Sequence, residues 1–327
     1  MTFATLFSGC ECVGVGFAAA GFSPAPLWQC EWDKRPAAVL RYRFPGVPNY
    51  GDVASFPAET CELPDVVWMS PPCQDLSIIG KQAGLTGEKS KYFYEATSVI
   101  RRFALRGWRG ILLMEQVPQI LLATSKGPAP MRDILLEFLE LRPLDLGWTV
   151  FNARYCGVPQ SRRRVFLALD FGGERVFEIL SDTNPGPLHT EKGRVSWVED
   201  SGTDPHLALA TQHPRYTGNP DSLALVARAP ERYGRPENIV PCLMTRTGTN
   251  SMIRGCWPQV EGSTLRWRTP KEHERLMGLP DDWTRFGINA KGREIEMSDA
   301  ARYHMTGNGV VAPIAEHIAR NILRLSS

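Results

Sequence analysis

The segment Asp65–Gln74 has the sequence DVVWMSPPCQ, in which an apolar run is followed by two prolines and a cysteine. The apolar run predicts a buried strand, and the two prolines predict a rigid loop directly after it. Loops at the carboxyl ends of strands in open α/β sheets collect ligands and catalytic groups. We therefore interpret Cys73 as a nucleophile held at a fixed position, although a lone cysteine is equally compatible with a small buried apolar residue.

Apolar and amphipathic runs alternate on both sides of this segment. We predict strands over residues 4–7, 26–30, 66–69, 111–114 and 165–169, and helices over 37–44, 92–104, 131–141, 270–277 and 313–325. Alternating strands and helices imply a parallel sheet that is covered on both faces. The predicted fold class is α/β, with a doubly wound, mostly parallel, Rossmann-like sheet.

The amino-acid composition changes between residues 181 and 265, where Pro, Gly, Asn and Thr accumulate and apolar stretches are short. This change predicts a second, smaller, loop-rich domain. We place the catalytic and cofactor-binding domain at residues 1–180, the recognition domain at 181–284, and a C-terminal segment that packs back on the first domain at 285–327.

Composition narrows the class of protein. The 327 residues are 43% hydrophobic and carry 37 Lys and Arg against 35 Asp and Glu, a net charge of +2, so any nucleic-acid binding must use a local patch. The eight cysteines include no Cys-x-x-Cys pair, which argues against a structural metal site and favours reduced thiols in a cytoplasmic protein. No Lys or Arg precedes Lys34, and we predict neither a signal peptide nor a membrane span.

Candidate ligand-binding groups follow the first strands. The loop FSGC at residues 7–10 leaves the first predicted strand, and Gly14 and Gly16 follow it. Such glycines allow a ligand to approach the backbone at a helix N-terminus, although a tight strand-to-helix turn also requires glycine. Glu31 and Trp32 end the second predicted strand, where an acid can hold ribose hydroxyls and an indole can stack on a purine. A surface glutamate beside a core tryptophan is the alternative.

Further candidates lie later in the chain. Asp52 follows a possible third strand and could accept a hydrogen bond from an adenine amino group. Glu115 ends the apolar run 111–114, where a carboxyl group in a crevice is a candidate acid with a raised pKa. Arg162 and Arg164 share one face of a predicted strand, with Arg163 on the opposite face.

The order of these motifs resembles that of the cytosine-C5 DNA methyltransferases. The matching segments are FSG at 7–9, PPCQ at 71–74, EQV at 115–117, QSRRR at 160–164, RLMGLP at 275–280 and GNGV at 307–310. They are similar to the family's cofactor loop, nucleophile loop, Glu-Asn-Val motif, Gln-x-Arg-x-Arg motif, Arg-Leu-x-Gly-Phe-Pro segment and Gly-Asn-x-Val motif. The resemblance spans nearly the whole chain.

This resemblance implies a class I methyltransferase fold, S-adenosylmethionine as cofactor, and duplex DNA as substrate with the target cytosine flipped out of the helix. It implies catalytic roles for Cys73, Glu115, Arg162 and Arg164. The implied cofactor-binding residues are Phe7, Ser8, Gly9, Cys10, Gly14, Glu31, Trp32, Asp52, Pro72, Asn308 and Val310. The implied substrate-binding residues are Gln74, Ser77, Gln160, Arg215, Arg246 and Arg254, with no metal. A monomer of bacterial or phage origin, paired with a cognate restriction endonuclease, fits the same family.

The chain departs from the family pattern near the cofactor loop and the acid. Glu11 and Cys12 stand where the family usually has two glycines, which adds side chains and a possible negative charge beside the loop. Gln116 replaces the usual asparagine and is one methylene longer, so it could shift how the nucleophile loop is anchored. Leu76 stands where phenylalanine is common, an apolar exchange of the kind that cores tolerate.

Two alternatives stay open at the level of sequence. Residues 181–265 contain eight Lys and Arg and nine Asp and Glu, a low positive charge for a phosphate-binding surface. This balance motivates the same chemistry on tRNA or on a free cytosine nucleotide. The changes at Glu11, Cys12 and Gln116 motivate a catalytically weak, DNA-binding relative instead.

Overall fold

The computed structural model describes residues 1–72, 91–122, 129–181 and 268–326, together with three short strand segments in between. The strands are β1 (Phe3–Leu6), β2 (Gln29–Cys30), β3 (Val66–Met69), β4 (Ile111–Gln116), β5 (Asp145–Asn152), β6 (Gln160–Ser161), β7 (Arg163–Asp170), β8 (Val240–Pro241), β9 (Gln259–Glu261), β10 (Thr264–Arg266), β11 (Phe286–Ile288) and β12 (Glu294–Glu296). The helices are α1 (Cys12–Ala20), α2 (Lys34–Arg43), α3 (Lys91–Leu105), α4 (Pro130–Glu140), α5 (Val176–Ile179), α6 (Pro270–Leu276), α7 (Asp299–Asn308) and α8 (Ala312–Leu325).

Six strands form one sheet in the order β2-β1-β3-β4-β7-β5. The pairs β1 with β2, β1 with β3, and β3 with β4 are parallel, whereas β7 is antiparallel to both of its neighbours. The remaining short strands pair as β6 with β8, β9 with β10, and β11 with β12. The four parallel strands therefore release their carboxyl-terminal loops at one edge of the sheet.

Alternate residues of each central strand enter two different cores, one on each face of the sheet. On β3, Val66 and Trp68 belong to the first core, and Val67 and Met69 belong to the second. Apolar side chains of α1, α7 and α8 complete the first core, and those of α3 and α4 complete the second. A sheet that is buried on both faces explains why its strands are continuously apolar. The predicted doubly wound α/β fold is confirmed.

The C-terminal helix α8 lies directly against α1. The two helices approach so closely that a side chain at Gly16 would collide with the backbone of Ala312 and Glu316. Helices can come this near only where one of them carries no Cβ atom. The last residues of the chain therefore hold the helix that follows the first strand.

Several elements differ from the sequence predictions. The predicted strand 26–30 is reduced to Gln29–Cys30, and the possible third strand before Asp52 is a single bridge between Gln29 and Asn49. Helices α1 and α7 and strand β5 were not predicted, and neither was the antiparallel direction of β7. The predicted recognition domain at 181–284 lies largely outside the described residues, so its boundaries stay a prediction. Within the described part of the chain, none of the helices combines the length and apolar character needed to cross a bilayer.

Candidate active site

Four loops meet at the carboxyl edge of the parallel strands. They follow β1 at residue 7, β2 at residue 31, β3 at residue 70 and β4 at residue 117. The strand order reverses direction of winding between β1 and β3, which is the place where open α/β sheets bind ligands. The described parts of these loops contain seven of the residues that the sequence singled out, namely Phe7, Ser8, Gly9, Cys10, Glu31, Trp32 and Pro72.

The loop after β1 is tightly folded and hydrogen-bonded to β2. Phe7, Gly9 and Glu11 have left-handed backbone angles, with φ of 59°, 55° and 61°. The Glu11 amide donates to the Ser8 carbonyl at 2.9 Å, and the Cys30 amide donates to the Ser8 hydroxyl oxygen at 2.9 Å. A Cβ atom placed on Gly9 would meet nothing within 4 Å among the described residues. Gly9 on this loop thus faces open space that no described residue fills.

Glu31 is bound to the same loop. Its Oε2 atom accepts a hydrogen bond from the Gly9 amide at 2.8 Å, and its Oε1 atom accepts one from the Asp33 amide at 2.8 Å. Burial raises the pKa of Glu31 to about 7, although these backbone amides oppose the shift. Trp32 is 69% exposed and so is not the core residue of the alternative interpretation. Sequence analysis missed Asn49, whose side chain accepts from the Glu31 amide at 2.9 Å and donates to the Glu31 carbonyl at 3.1 Å.

Two further cofactor candidates lie near this edge. The carboxylate of Asp52 is exposed and accepts a hydrogen bond from the Ala54 amide at 3.1 Å, so it caps the short helical turn Val53–Ser55. Gly14 is buried inside α1 and packs against the side chain of Glu11. Gly14 therefore acts on the loop by packing against Glu11, and it exposes no surface of its own to a ligand.

The loop after β3 is anchored at its root. The Gln116 side-chain amide donates to the Pro71 carbonyl at 2.7 Å, and its oxygen accepts from the Val117 amide at 3.2 Å. The longer side chain of Gln116 thus spans from β4 to the loop on β3. Cys73, Gln74 and Ser77 lie outside the described residues, and Pro72, which precedes Cys73, is partly exposed.

Glu115 and Arg164 form a buried ion pair beside this root. The Arg164 Nε atom lies 3.0 Å from Glu115 Oε1, and the two side chains are 15% and 10% exposed. Burial raises the pKa of Glu115, while the positive charges of Arg164 and Arg162 oppose the increase. The arrangement is a buried carboxyl group that binds its proton more tightly than an exposed one, oriented by a guanidinium group.

Arg162 connects β7 to the end of the chain. Its guanidinium group donates to the Gly307 carbonyl at 3.1 Å and to the Gly309 carbonyl at 2.8 Å, and the residue is 2% exposed. Gly309 in turn packs against Cys12, because a Cβ atom at Gly309 would lie 2.6 Å from the Cys12 sulfur. Arg162 therefore joins the start of β7 to the closing Gly-Asn-x-Val segment, which packs against the first residue of α1.

The remaining predicted residues are distributed around this centre. Gln160 is fully buried and donates to the Leu276 carbonyl at 2.9 Å, so it fastens β6 to α6. Asn308 is exposed at the end of α7, 3.4 Å from the His304 ring, whereas Val310 is buried at 5% exposure. The predicted recognition residues Arg215, Arg246 and Arg254 lie outside the described residues.

Sequence analysis also missed Trp283 as a site residue. Its indole Nε1 atom donates to the Cys10 carbonyl at 2.7 Å, and its ring packs under the guanidinium group of Arg43 at 4.7 Å. Trp283 thereby holds the loop after β1 from a segment more than two hundred residues away in sequence. The only available signal was its place directly after the RLMGLP segment at 275–280.

The cysteines in the described part of the chain are buried and form no disulfide bond with one another. Cys10 and Cys12 have their sulfur atoms 3.5 Å apart, and the Cys30 and Cys156 thiols donate to the backbone carbonyls of Gly51 and Asn152. Within the described ranges, His, Cys, Asp and Glu side chains form no group of three that could hold a metal ion.

Comparison with known proteins agrees with this geometry. Type II methyltransferase M.HpaII of Haemophilus parainfluenzae is 26% identical, over 98% of this chain and 89% of that protein. Type II methyltransferase M2.BsuMI of Bacillus subtilis is 28% identical, over 98% of this chain and 75% of that protein. The Entamoeba histolytica methyltransferase EhMeth and the S. pombe Dnmt2 methyltransferase share the fold, with TM-scores of 0.63 and 0.60 at 14% and 12% identity. Each of these two alignments covers 100% of this chain and 99% or more of the other.

The family profile described as C-5 cytosine-specific DNA methylase matches residues 1–324, nearly the whole chain. The motif order, the sheet topology and the Glu115–Arg164 pair point to the same family. The chain therefore belongs to the C-5 cytosine-specific DNA methylases.

Proposed function

We propose that this chain transfers a methyl group from S-adenosylmethionine to carbon 5 of a cytosine flipped out of duplex DNA, through a covalent bond between Cys73 and carbon 6. The buried Glu115–Arg164 pair carries the proposal. It lies at the carboxyl end of β4, beside the Gln116–Pro71 hydrogen bond that anchors the loop containing Cys73. An acid and the root of a nucleophile loop thus share one edge of the sheet.

The first step needs a nucleophile and an acid together, because carbon 5 of cytosine is a weak nucleophile. The Cys73 thiolate donates an electron pair to carbon 6, and the ring electrons move through carbon 5 toward ring nitrogen 3. Glu115 donates its proton to nitrogen 3, for which its raised pKa is suited. Arg164 orients the Glu115 carboxyl group and can hold the exocyclic oxygen at position 2.

The residues around the loop after β1 fit the cofactor. Glu31 lies beside the Gly9 amide and keeps lone pairs for ribose hydroxyls, and the exposed indole of Trp32 can stack on adenine. Phe7, Ser8, Cys10, Asp52, Pro72, Asn308 and Val310 complete the proposed set. When bound, the cofactor supplies a methyl group on a positively charged sulfur.

The reaction ends with elimination. Once carbon 5 carries the methyl group, a water molecule removes the proton at carbon 5, and the electrons of that bond restore the carbon 5 to carbon 6 double bond. Cys73 then leaves with its electron pair, nitrogen 3 returns its proton to the Glu115 carboxylate, and the base returns to the duplex. Cys73 is regenerated for another cycle.

Duplex DNA as the substrate is supported by the family to which the chain belongs. A base inside a duplex cannot enter a site at a sheet edge, so the target must leave the stack at a cost of about a few kcal/mol. Gln74, Ser77, Arg215, Arg246 and Arg254 are proposed to offset that cost and to contact flanking bases. We also propose that the protein is a monomer and works beside a cognate restriction endonuclease, and the relatives named as Type II methyltransferases support the second of these.

Expression in a host lacking cytosine methylation, followed by bisulfite sequencing, tests the reaction and identifies its target sequence. We expect the wild type to methylate one short sequence and the Cys73→Ala protein to methylate none. Purified protein is then assayed on duplex DNA, tRNA and dCMP with radiolabelled S-adenosylmethionine. Glu115→Gln should lose most of the rate on DNA, because an amide cannot deliver the proton. If only tRNA or only dCMP is methylated, the proposal of DNA as the substrate is wrong, and that molecule is the substrate instead.

A further inference from the structure

Glu11 is an unusual residue at an unusual backbone angle. Its φ of 61° is left-handed, a conformation that costs a non-glycine residue about 1 kcal/mol or more. The glycine that is common at this position would adopt the same angle without strain. Retaining glutamate here is favourable only if its side chain makes interactions that offset the strain.

The Glu11 side chain does make such interactions. It is fully buried, and its Oε2 atom accepts hydrogen bonds from the Thr5 hydroxyl at 2.9 Å and the Gln29 amide at 2.8 Å. Thr5 and Gln29 are neighbours in the register of β1 and β2. The carboxyl group therefore bridges the parallel strands β1 and β2 through one hydrogen bond to each.

The slot that holds Glu11 is closed by α1. A Cβ atom at Gly14 would lie 2.8 Å from Glu11 Cγ, so only glycine at position 14 leaves room for the glutamate side chain. Gly14 and Glu11 are thus a matched pair. The Glu11 side chain lies beneath the loop, between the sheet and α1.

These contacts continue into residues 8–10. Thr5 Oγ1, which donates to Glu11, also lies 2.8 Å from Ser8 Oγ, and the Glu11 amide donates to the Ser8 carbonyl. Ser8 and Gly9 are tied to β2 and Glu31 by further hydrogen bonds. A change in the Glu11 side chain is therefore transmitted to the part of the loop that faces open space.

We propose that the Glu11 carboxyl group, and not the left-handed backbone at residue 11, is the positioning element that fixes the loop after β1 for binding S-adenosylmethionine. The inference rests on the proposed function, since it assumes that this loop binds that cofactor. It assigns the family departure at this position a role in cofactor affinity. Glu11 touches neither substrate nor reacting atoms and acts through Thr5, Ser8 and Gln29.

Glu11→Gly separates the two explanations, because it relieves the backbone strain while removing the carboxyl group. We expect its Kd for S-adenosylmethionine, measured by calorimetry, to rise about tenfold, and its KM for the cofactor to rise more than its kcat falls. Glu11→Gln keeps one oxygen that can accept from both Thr5 and Gln29, and should restore the Kd to within about threefold of the wild type. Arg142→Gly is the matched control, because Arg142 has a φ of 54° on an exposed loop far from the site.

The outcomes are distinct. A wild type that does not bind S-adenosylmethionine would overturn the proposed function, whereas a Glu11→Gly protein that binds as tightly as a cofactor-competent wild type would overturn the inference alone. If Glu11→Gly does not fold, Thr5→Val decides, because it removes one donor and preserves the side-chain shape. A severalfold weaker Kd supports the role of the carboxyl group, and an unchanged Kd contradicts it.

Discussion

Replacement of Glu11 by glutamine should change how the stability of the protein depends on pH. Burial raises the pKa of Glu11 from 4.5 to about 7, although Thr5, Gln29 and the Gly14 amide lower it, and the charge of Glu31 adds to the increase. A raised pKa means that the folded chain binds this proton more tightly than the unfolded chain does. Stability from this group is therefore complete below pH 4.5 and is lost as the pH rises through about 7.

The size of the effect follows from the shift. A difference of about 2.5 pKa units corresponds to about 3 kcal/mol of unfolding free energy between pH 4.5 and pH 8. Glutamine resembles the protonated carboxyl group and does not titrate. We expect Glu11→Gln to gain about 2 to 3 kcal/mol relative to the wild type when the pH is raised from 5 to 8.

Urea denaturation of both proteins at pH 5, 6, 7 and 8 measures this difference. The variant retains His273, with its pKa lowered by burial to about 4, so the contribution of His273 cancels in the comparison. The charge of Glu31 acts on Glu11, so the contribution of Glu31, whose pKa is raised to about 7, cancels only in part. A free-energy difference that stays constant across these pH values would refute the assignment of a buried, proton-holding carboxyl group at residue 11. A difference that changes with the opposite sign would refute it as well.

Two further substitutions test the anchors of the site. Gln116→Asn shortens the side chain that donates to the Pro71 carbonyl, so the methylation rate should fall about tenfold while the affinity for the cofactor is kept. Single-turnover kinetics measure the rate, and a separate titration measures the cofactor affinity. An unchanged rate would show that this hydrogen bond does not anchor the nucleophile loop. Trp283→Phe keeps an aromatic ring, smaller than the indole, and removes the donor to the Cys10 carbonyl, so it should lower stability by about 1 kcal/mol or more and weaken cofactor binding. Urea denaturation and calorimetry check both effects, and a variant equal to the wild type in both would exclude Trp283 as a support of the loop.

Continuous apolar character was a sufficient signal for the central strands. The run 66–69 is buried on both faces of the sheet, so it predicts β3 without reference to the rest of the fold. Helix α1 was harder to identify because both of its sides are covered, by the sheet and by α8, and it contains two glycines. Such a helix shows no amphipathic period. Edge strand β5 was missed for the opposite reason, since most of its residues are only partly buried.

The reactive residues of the site could be predicted from their motifs, whereas the contacts that hold these residues in place could not. Glu115 and Arg164 could be assigned from their motifs, and the structure brings them into contact. The partners of Gln160 and Arg162 lie more than one hundred residues away in α6 and at the end of α7, and no local pattern encodes those contacts. The burial of Glu11 depends on Gly14 and on two strands packing together, so the sequence alone suggested a charge beside the loop.

The most direct test of the account uses a duplex in which the target cytosine carries fluorine at carbon 5. Fluorine cannot leave as a proton does, so an enzyme that adds to carbon 6 and transfers the methyl group remains bound to the DNA. We predict a denaturation-resistant complex that requires S-adenosylmethionine, is absent in Cys73→Ala, and yields by mass spectrometry a modified peptide containing Cys73. A protein that binds both ligands and forms no such complex, or forms it through another residue, would contradict covalent catalysis by Cys73.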